Sequence, residues 1–449
     1  MAIAITKELL ENISNLIENQ KDTALSDLFI DVHHADIAEV LDELNFDKAL
    51  YIIRLLDSEK TAEILMDVDD DIRERVLKEL SSQEIAEEVD ELDSDDAADI
   101  IAELPDERKK EVMQKLEDEE HAKEIVDLLR YDENSAGGLM AKELVKVNEN
   151  WSVTACVKEM RIQAEQVTRV HSIYVVDNAG KLKGRLSLKD LLMASESSKI
   201  ADVYIPKVDF VNVTDEAEEV ANIMRKYDLE AIPVVDELGI LLGRITIDDI
   251  VDVIKEEAEK DYQLAAGITQ DVEADDTIWQ LTRARLPWLF LGLLGGIGAF
   301  LIMEGFQGMF SENAVLFFFT PLIAAMAGNV GVQSSAIIVQ GLANDDVKGS
   351  INNRLIKEML LAALNGLLLA IVLFTFILIY SNDFQKSLAI SVSLIVVIIV
   401  AGLIGTFIPL FLNKRGIDPA IATGPFITTS NDIFGILIYF WIAKLIIGF

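Results

Sequence analysis

Near the end of the chain a single acid stands in apolar sequence. Asp432 is the one charged residue between Pro419 and Ala443. It closes two polar runs, Asp418-Pro-Ala-Ile-Ala-Thr-Gly-Pro425 and Thr428-Thr-Ser-Asn-Asp432. A third run, Gly328-Asn-Val-Gly-Val-Gln333-Ser-Ser335, follows Pro321 in another apolar stretch. A carboxylate facing lipid costs at least a few kcal/mol. Asp432 should therefore face water or a cation, or else hydrogen-bond to a neighbouring helix in its protonated form. Glycine and proline allow close backbone approach, and any freed carbonyl must then meet water, an ion or protein. Asn329 and Gln333 can line such a path or act as packing glue between helices.

These residues need elements that cross a membrane. Five stretches are long enough to span about 30 Å of hydrocarbon: Leu286–Met303, Asn313–Asn344, Met359–Asn382, Ser387–Asn413 and Pro419–Ala443. The second exceeds a simple span and is expected to be tilted or broken. Arg283 and Arg285 precede the first span; Lys348, Arg354 and Lys357 lie between the second and third; Lys414 and Arg415 lie between the fourth and fifth. The other loops carry Glu304 and Glu312, then Asp383 and Lys386. Basic residues thus alternate by side, predicting a cytoplasmic N-terminus and an external C-terminus at the cell's inner (plasma) membrane. Lys444 can snorkel to the outer interface. Five buried helices of a soluble enzyme would not show this alternation.

The remaining sequence is acidic. Residues 281–449 hold 9 basic and 8 acidic residues, whereas 1–280 hold 30 and 69. Self-repulsion on that scale calls for counter-ions, and it excludes nucleic acid as a partner. The lone cysteine, Cys156, excludes an intrachain disulfide framework and reads as a small core residue. No cleavable signal peptide is visible. Neither a Walker motif nor a phosphorylated-aspartate motif occurs, so no enzyme activity is expected.

Two modules share the acidic part. Leu44, Leu56, Val68, Leu80, Leu92, Leu104, Leu116 and Leu128 recur every 12 residues, separated by acidic or turn-forming residues. A unit that short cannot bury its stripe alone, so 1–130 is expected to stack into an α-superhelix. After Tyr131 a mixed α/β unit occurs twice: Ile173–Asp190 aligns with Ile232–Asp249 at an offset of 59, every glycine in step. This resembles a tandem pair of CBS domains over 135–255. The resemblance implies adenosine-nucleotide binding, with Ser/Thr-x-x-Asp holding the ribose. The matching residues are Ser187 with Asp190 and Thr246 with Asp249, and Lys189 is placed to meet phosphate. The same spacing is a helix capping box. From Val251 a helix leads on, and 251–280 reads as a connector to the membrane domain at 281–449.

With these parts together, the sequence resembles the MgtE family of magnesium channels and transporters over nearly its whole length. The Gly-Asn-x-Gly-x-Gln and Asp-Pro-Ala…Asn-Asp segments carry the resemblance. It implies a homodimer with a central pore, in which Asp432 from both subunits binds hydrated Mg²⁺ and the backbone near Thr428 faces the ion. This chain has Gly424 where some members have Asn. Asn329 and Gln333 are the remaining expected pore residues. Mg²⁺ prefers oxygen ligands and sheds water reluctantly, and 281–449 contains no His or Cys for a softer metal.

The resemblance also implies regulatory Mg²⁺ sites. The matching acids are Asp95 and Asp99 in the repeat domain, Glu218, Asp228, Asp249 and Asp252 in the second CBS unit, and Glu257 and Asp261 on the connecting, or plug, helix. Glu256 and Glu259 lie nearby. Asp95/Asp99 and Glu257/Asp261 each place two carboxylates on one helix face. The expected behaviour is Mg²⁺ uptake gated by cytosolic Mg²⁺, with ATP a candidate regulatory ligand and membrane lipid the surroundings. The alternatives are a channel for Mn²⁺ or Co²⁺, or a CBS-regulated membrane receptor.

Overall fold

The computed structural model describes residues 4–448, except 165, 166, 168, 271, 273–275, 311, 312, 344–346, 348, 349 and 423. Glu312 and Lys348 of the loop-charge argument, and Thr423 of the fifth-span motif, lie outside the described residues. The chain divides into two compact units, Met1–Ile254 and Lys255–Phe449.

The first unit begins with ten short helices: α1 (Lys7–Glu18), α2 (Asp22–Phe29), α3 (His34–Asp42), α4 (Phe46–Ile53), α5 (Ser58–Asp67), α6 (Asp70–Glu79), α7 (Ser82–Val89), α8 (Ser94–Glu103), α9 (Asp106–Met113) and α10 (Glu119–Leu128). The 12-residue period explains their starts. Cap positions fall at His33, Asn45, Asp57, Asp69, Ser81 and Asp93. Asn45 and Asp57 each accept from the backbone amide three residues on, at 3.1 and 3.0 Å, which satisfies a donor the helix end leaves open. Val68, Leu80 and Leu104 of the repeat are the residues just past their helices, and all three are buried. Helices pack on the next but one: α3 on α5, α5 on α7, α7 on α9, and α8 on α10. That is the expected α-superhelix.

The two α/β copies follow. The first is β1 (Val145–Asn148), α11 (Val153–Gln163), β2 (Ile173–Val176), β3 (Leu182–Leu186) and α12 (Leu188–Met193). The second is β4 (Val211–Asn212), α13 (Ala217–Tyr227), β5 (Ala231–Val235), β6 (Leu241–Thr246) and α14 (Ile247–Ala266). Each sheet pairs a parallel strand with an antiparallel hairpin, in the orders β1-β2-β3 and β4-β5-β6. The hairpin glycines Gly180 and Gly239 sit at φ 81° and 78°, a left-handed turn that side chains resist. The two tips join each other through Leu182 N to Gly239 O at 3.0 Å and Leu241 N to Gly180 O at 3.1 Å. Cys156 is buried, and burial pushes its thiol up to about 11, as a core residue requires. One apolar core runs from the helical repeat through Ala136 and Met140 into the second copy, while the first copy keeps its own around Val145, Val175 and Leu186.

The second unit holds the C-terminal part of α14 and the membrane helices: α15 (Ile278–Gly305), the short α16 (Gln307–Phe310), α17 (Ala314–Ala343), α18 (Ile351–Ser381), α19 (Phe384–Asn413) and α20 (Gly424–Ile447). All but α16 are long and apolar enough to span. Helix α19 is the most buried and packs on α17, α18 and α20. Two expectations are corrected here. The second span is one uninterrupted helix with Pro321 inside it, so of the two expected forms, tilted or broken, the break does not occur. The fifth span starts at Gly424, because Pro419–Ala422 forms a separate 3₁₀ turn.

Candidate metal centres

Four polar residues meet inside the membrane unit. Asn329 and Gln333 lie four apart on α17, and Thr428 and Asp432 lie four apart on α20, so each pair shares a helix face. Together with Ala324, Ala325, Gly328 and Val332 they line a cavity of about 430 Å³. Among the described residues, Asp432 is the only acid lining it. The Thr428 hydroxyl donates to the Gly424 carbonyl at 3.0 Å, and its oxygen still offers lone pairs to the cavity. Helices α17, α19 and α20 approach closely because Gly331 and Gly405 lack side chains. A Cβ on Gly405 would strike the Gly331 carbonyl, and one on Gly331 would strike the Asn431 amide.

The end of α14 is seated at the start of α20. Gly424 has φ 46°, and a Cβ there would collide with the Ala265 carbonyl. A Cβ on Gly267 would collide with the Pro425 ring. An Asn at position 424 would therefore not fit beside α14 as it lies here. The following loop is pinned by Thr269, whose amide and hydroxyl both donate to the Ala284 carbonyl, at 3.1 and 3.0 Å.

One intramembrane acid was missed in the sequence. Helix α18 begins at Ile351, eight residues before the expected span, and carries Glu358 into the bundle. The Ser334 hydroxyl of α17 donates to Glu358 Oε1 at 2.6 Å, and the carboxylate lies against Gly402 of α19. Ser334 is next to cavity-lining Gln333, so this bond ties α18 to the helix that lines the cavity. The signal available was the small-residue face of α19, which leaves room for a polar group.

A second group of acids gathers in the first unit, where α8 meets the second CBS copy. Asp93 occupies the cap position of α8 but makes no side-chain cap bond. Glu143, from the segment before β1, takes that place: it accepts from the Ser94 amide at 3.1 Å and the Ser94 hydroxyl at 2.8 Å. Asp93 instead pairs with buried Arg244 at 3.3 Å. Asp93, Asp95 and Glu143 each place a carboxylate oxygen within 4.8 Å of the others. Asp95 is buried, and burial followed by repulsion from Asp96 and Asp249 raises its carboxyl well above the usual range. Asp96 is lifted to about 7 by burial and then by Asp249 and Asp99. Asp99 is exposed at the surface, yet it is also lifted to about 7, by desolvation first and then by Glu133. Burial lifts Asp249 to about 6, although the Thr246 amide and hydroxyl, donating at 2.9 and 2.8 Å, oppose the rise.

Of the expected regulatory acids, Asp95, Asp99 and Asp249 converge, and Asp93, Asp96 and Glu143 join them unannounced. The others do not gather at this point. Glu218 is in the first turn of α13 and Asp228 is its left-handed C-cap, ~15 Å apart at 1.5 Å per residue. Asp252 is exposed on α14. Glu257 pairs with Lys260 at 2.9 Å, and Asp261 is half-buried. In the CBS motif, Thr246 and Asp249 close on each other as a cap. Ser187 makes no side-chain cap bond, and Lys189 is exposed beside Asp190.

These shifts carry a pH dependence. Asp42, held near 6, and Glu88, near 8, act in the same direction as Asp96, Asp99 and Asp249. All are raised above unfolded values near 4, so the folded state holds their protons more tightly. Their stabilising contribution is complete below about pH 4 and is lost as pH rises through 6 to 8. Without divalent cations, thermal unfolding should come earlier at pH 8 than at pH 6, by about 2–4 °C per kcal/mol. Added Mg²⁺ should recover more at pH 8, where the carboxylates are ionised. An unfolding temperature equal at both pH values would contradict this.

The comparisons with known proteins match this architecture part by part. The MgtE divalent cation transporter pattern covers residues 320–442, the MgtE intracellular N domain 32–134, and CBS domains 136–197 and 200–256. The magnesium transporter MgtE of Enterococcus faecalis is 36% identical over 71% of this chain and 70% of its own length. The chain belongs to the MgtE family. The Thermus thermophilus MgtE is likewise 36% identical, over 71% of this chain and 72% of its own. Among solved structures, the soluble part of a magnesium transporter aligns with TM-score 0.50 at 29% identity, covering 56% of this chain and 99% of that one. The cytosolic domain of the Mg²⁺ channel MgtE in complex with ATP aligns with TM-score 0.51 at 34% identity, covering 54% and 99%. As an MgtE protein this chain is a multi-pass membrane transporter and not an enzyme, and its acidic part is the N domain and CBS pair of that family.

Proposed function

We propose that this protein conducts Mg²⁺ into the cell and that cytosolic Mg²⁺ closes it. The observation that carries the first half is the cavity that Asp432 lines, its only acid among the described residues, with Thr428, Asn329 and Gln333 around it. One carboxylate with hydroxyl and amide oxygens suits an ion that keeps most of its water. Asn329 and Gln333 are exposed in the isolated chain, an unfavourable state in lipid. A second copy, bringing its own Asp432, would cover them and complete the pore. With the N-terminus cytoplasmic and the C-terminus external, an inward divalent ion gains about 4.6 kcal/mol per 100 mV, twice the single-charge value. Conduction then needs no ATP hydrolysis.

The second half is supported by the acids around Asp95 and Asp249. Like charges at 4 Å repel by ~4 kcal/mol at an effective dielectric near 20. Mg²⁺ between them reverses that sign and holds the N domain on the second CBS copy. A site filled at 100 times its dissociation constant contributes about 2.7 kcal/mol. Moving a gate from 1:99 to 99:1 takes about 5.5 kcal/mol, so two such sites are enough. The closed state keeps Ala265 and Gly267 of the plug segment against Gly424 and Pro425. ATP is the second cytosolic ligand in this reading, with Ser187, Lys189 and Asp190 as its contacts, because their capping role is unfilled.

The test is flux into liposomes holding the purified chain, with Mg²⁺, Mn²⁺ or Co²⁺ outside and Mg²⁺ varied inside. Mg²⁺ should enter, and internal Mg²⁺ should suppress entry. Faster entry of Mn²⁺ or Co²⁺ would reassign the cargo, and no entry of any ion would favour a receptor.

A further inference from the structure

Glu143 faces two ways. Toward α8 it accepts from Ser94. On its other side stand His121 and Glu124, one turn apart on α10. One ligand atom from each of His121, Glu124 and Glu143 lies within 4.8 Å of the other two. The imidazole is held in a defined orientation. Its Nε2 stands 3.2 Å from the Val89 carbonyl, which can only accept, so in the neutral ring the proton sits on Nε2 and Nδ1 presents its lone pair. Nδ1 points at Glu143 Oε1 across 3.9 Å, beyond hydrogen-bond distance. A backbone carbonyl holding the far nitrogen is how metal-binding histidines are commonly oriented. The pocket is largely withdrawn from solvent: the His121 and Glu143 side chains are 12% and 13% exposed. The nearby ammonium of Lys142 is engaged with Asp127 at 2.9 Å. Burial and then Glu143 raise the Glu124 carboxyl, a repulsion that a cation would remove.

We propose that His121, Glu124 and Glu143 form a binding site for a first-row transition-metal dication of the Zn²⁺, Mn²⁺ or Co²⁺ class. An imidazole nitrogen with two carboxylates suits those ions, whereas Mg²⁺ takes oxygen ligands and octahedral water. Three protein ligands leave coordination positions for water. The ligands come from α10 of the N domain and from the segment entering the first CBS copy, so a bound ion ties the two together. Glu143 also belongs to the oxygen-only group with Asp93 and Asp95. A metal at His121 therefore fixes a carboxylate that the neighbouring group uses, and the joint reads two classes of dication. The site stands on its own geometry, whether or not the oxygen-only group binds Mg²⁺.

The test uses the full chain in detergent, stripped of metal and titrated with Co²⁺ in a large excess of Mg²⁺. Visible d–d absorption reports the Co²⁺ environment, and pulsed electron paramagnetic resonance of bound Mn²⁺ reports a coordinated nitrogen. Both signals should be present in wild type and in His34→Ala, which removes the histidine beside Glu63 and Asp67. His121→Ala should abolish the nitrogen signal, and Glu124→Gln should weaken Co²⁺ binding by more than about tenfold. Far-UV circular dichroism checks that each variant is folded, and Glu124→Gln, isosteric with glutamate, carries the test if His121→Ala is not. Signals that survive unweakened in folded His121→Ala or Glu124→Gln, or that Mg²⁺ displaces, would overturn the proposal and leave His121 as an ion-pair partner of Glu143.

Discussion

Asp432→Ala should reduce Mg²⁺ flux into liposomes to the protein-free background, while the protein still folds and inserts. The side chain lies at the wall of a cavity, not in the packed core, so its removal leaves no large void. What it removes is charge. A dication 4 Å from a carboxylate gains ~8 kcal/mol at an effective dielectric near 20, twice the value for two unit charges. Much of that gain is offset by the water the ion gives up, but every 1.4 kcal/mol remaining is a factor of ten. Asp432→Asn keeps the shape and loses the charge, so it should be nearly as inactive. Asn329→Ala and Gln333→Ala remove neutral ligands worth about 1 kcal/mol each and should cost about three- to tenfold. Flux in Asp432→Ala equal to wild type would remove the pore assignment altogether.

Neutralising the joint should have the opposite effect on activity. With Asp95, Asp96, Asp99 and Asp249 all changed to Asn, internal Mg²⁺ should no longer suppress currents. The half-inhibiting concentration should rise more than about tenfold, which is a loss of about 1.4 kcal/mol of coupling. The same variant should melt higher than wild type in the absence of Mg²⁺, because four mutually repelling groups have gone. Its unfolding temperature should also respond less to pH between 6 and 8. A control combining Glu8→Gln and Glu107→Gln, two exposed acids outside this cluster, should leave the inhibition by Mg²⁺ in place. Inhibition that survives the fourfold change would move the sensor elsewhere.

The choice of these four residues shows where sequence reading stops. Asp95 and Asp99 were legible as a pair on one helix face, since local spacing fixes which side chains share a face. Nothing local says that the face meets Asp249, about 150 residues away, or that Glu143 displaces Asp93 from its cap. The Ser/Thr-x-x-Asp pattern is degenerate for the same reason. Thr246 and Asp249 close on each other as a cap, while Ser187 makes no side-chain cap bond, although the two segments align without a gap. Glu358 was overlooked because it lies just outside an uncharged window. Helix α18 starts earlier than hydropathy alone marks, and Ser334 receives the carboxylate.

The acid in apolar sequence at Asp432 was determined by sequence alone, as were the five spans, the 12-residue repeat and the doubled CBS unit. Each is a matter of period or composition, and burial acts on those directly. The tertiary structure gave the cavity in which Asp432 meets Asn329, Gln333 and Thr428, the residues the resemblance names for the pore. Only it showed that Gly424 lies under the Ala265 carbonyl, where no side chain fits, and that His121 faces Glu143. Those meetings depend on which helix packs beside which, and the packing is set by glycines such as Gly331 and Gly405. Such a residue is almost silent in sequence, because its effect comes from the atoms it lacks.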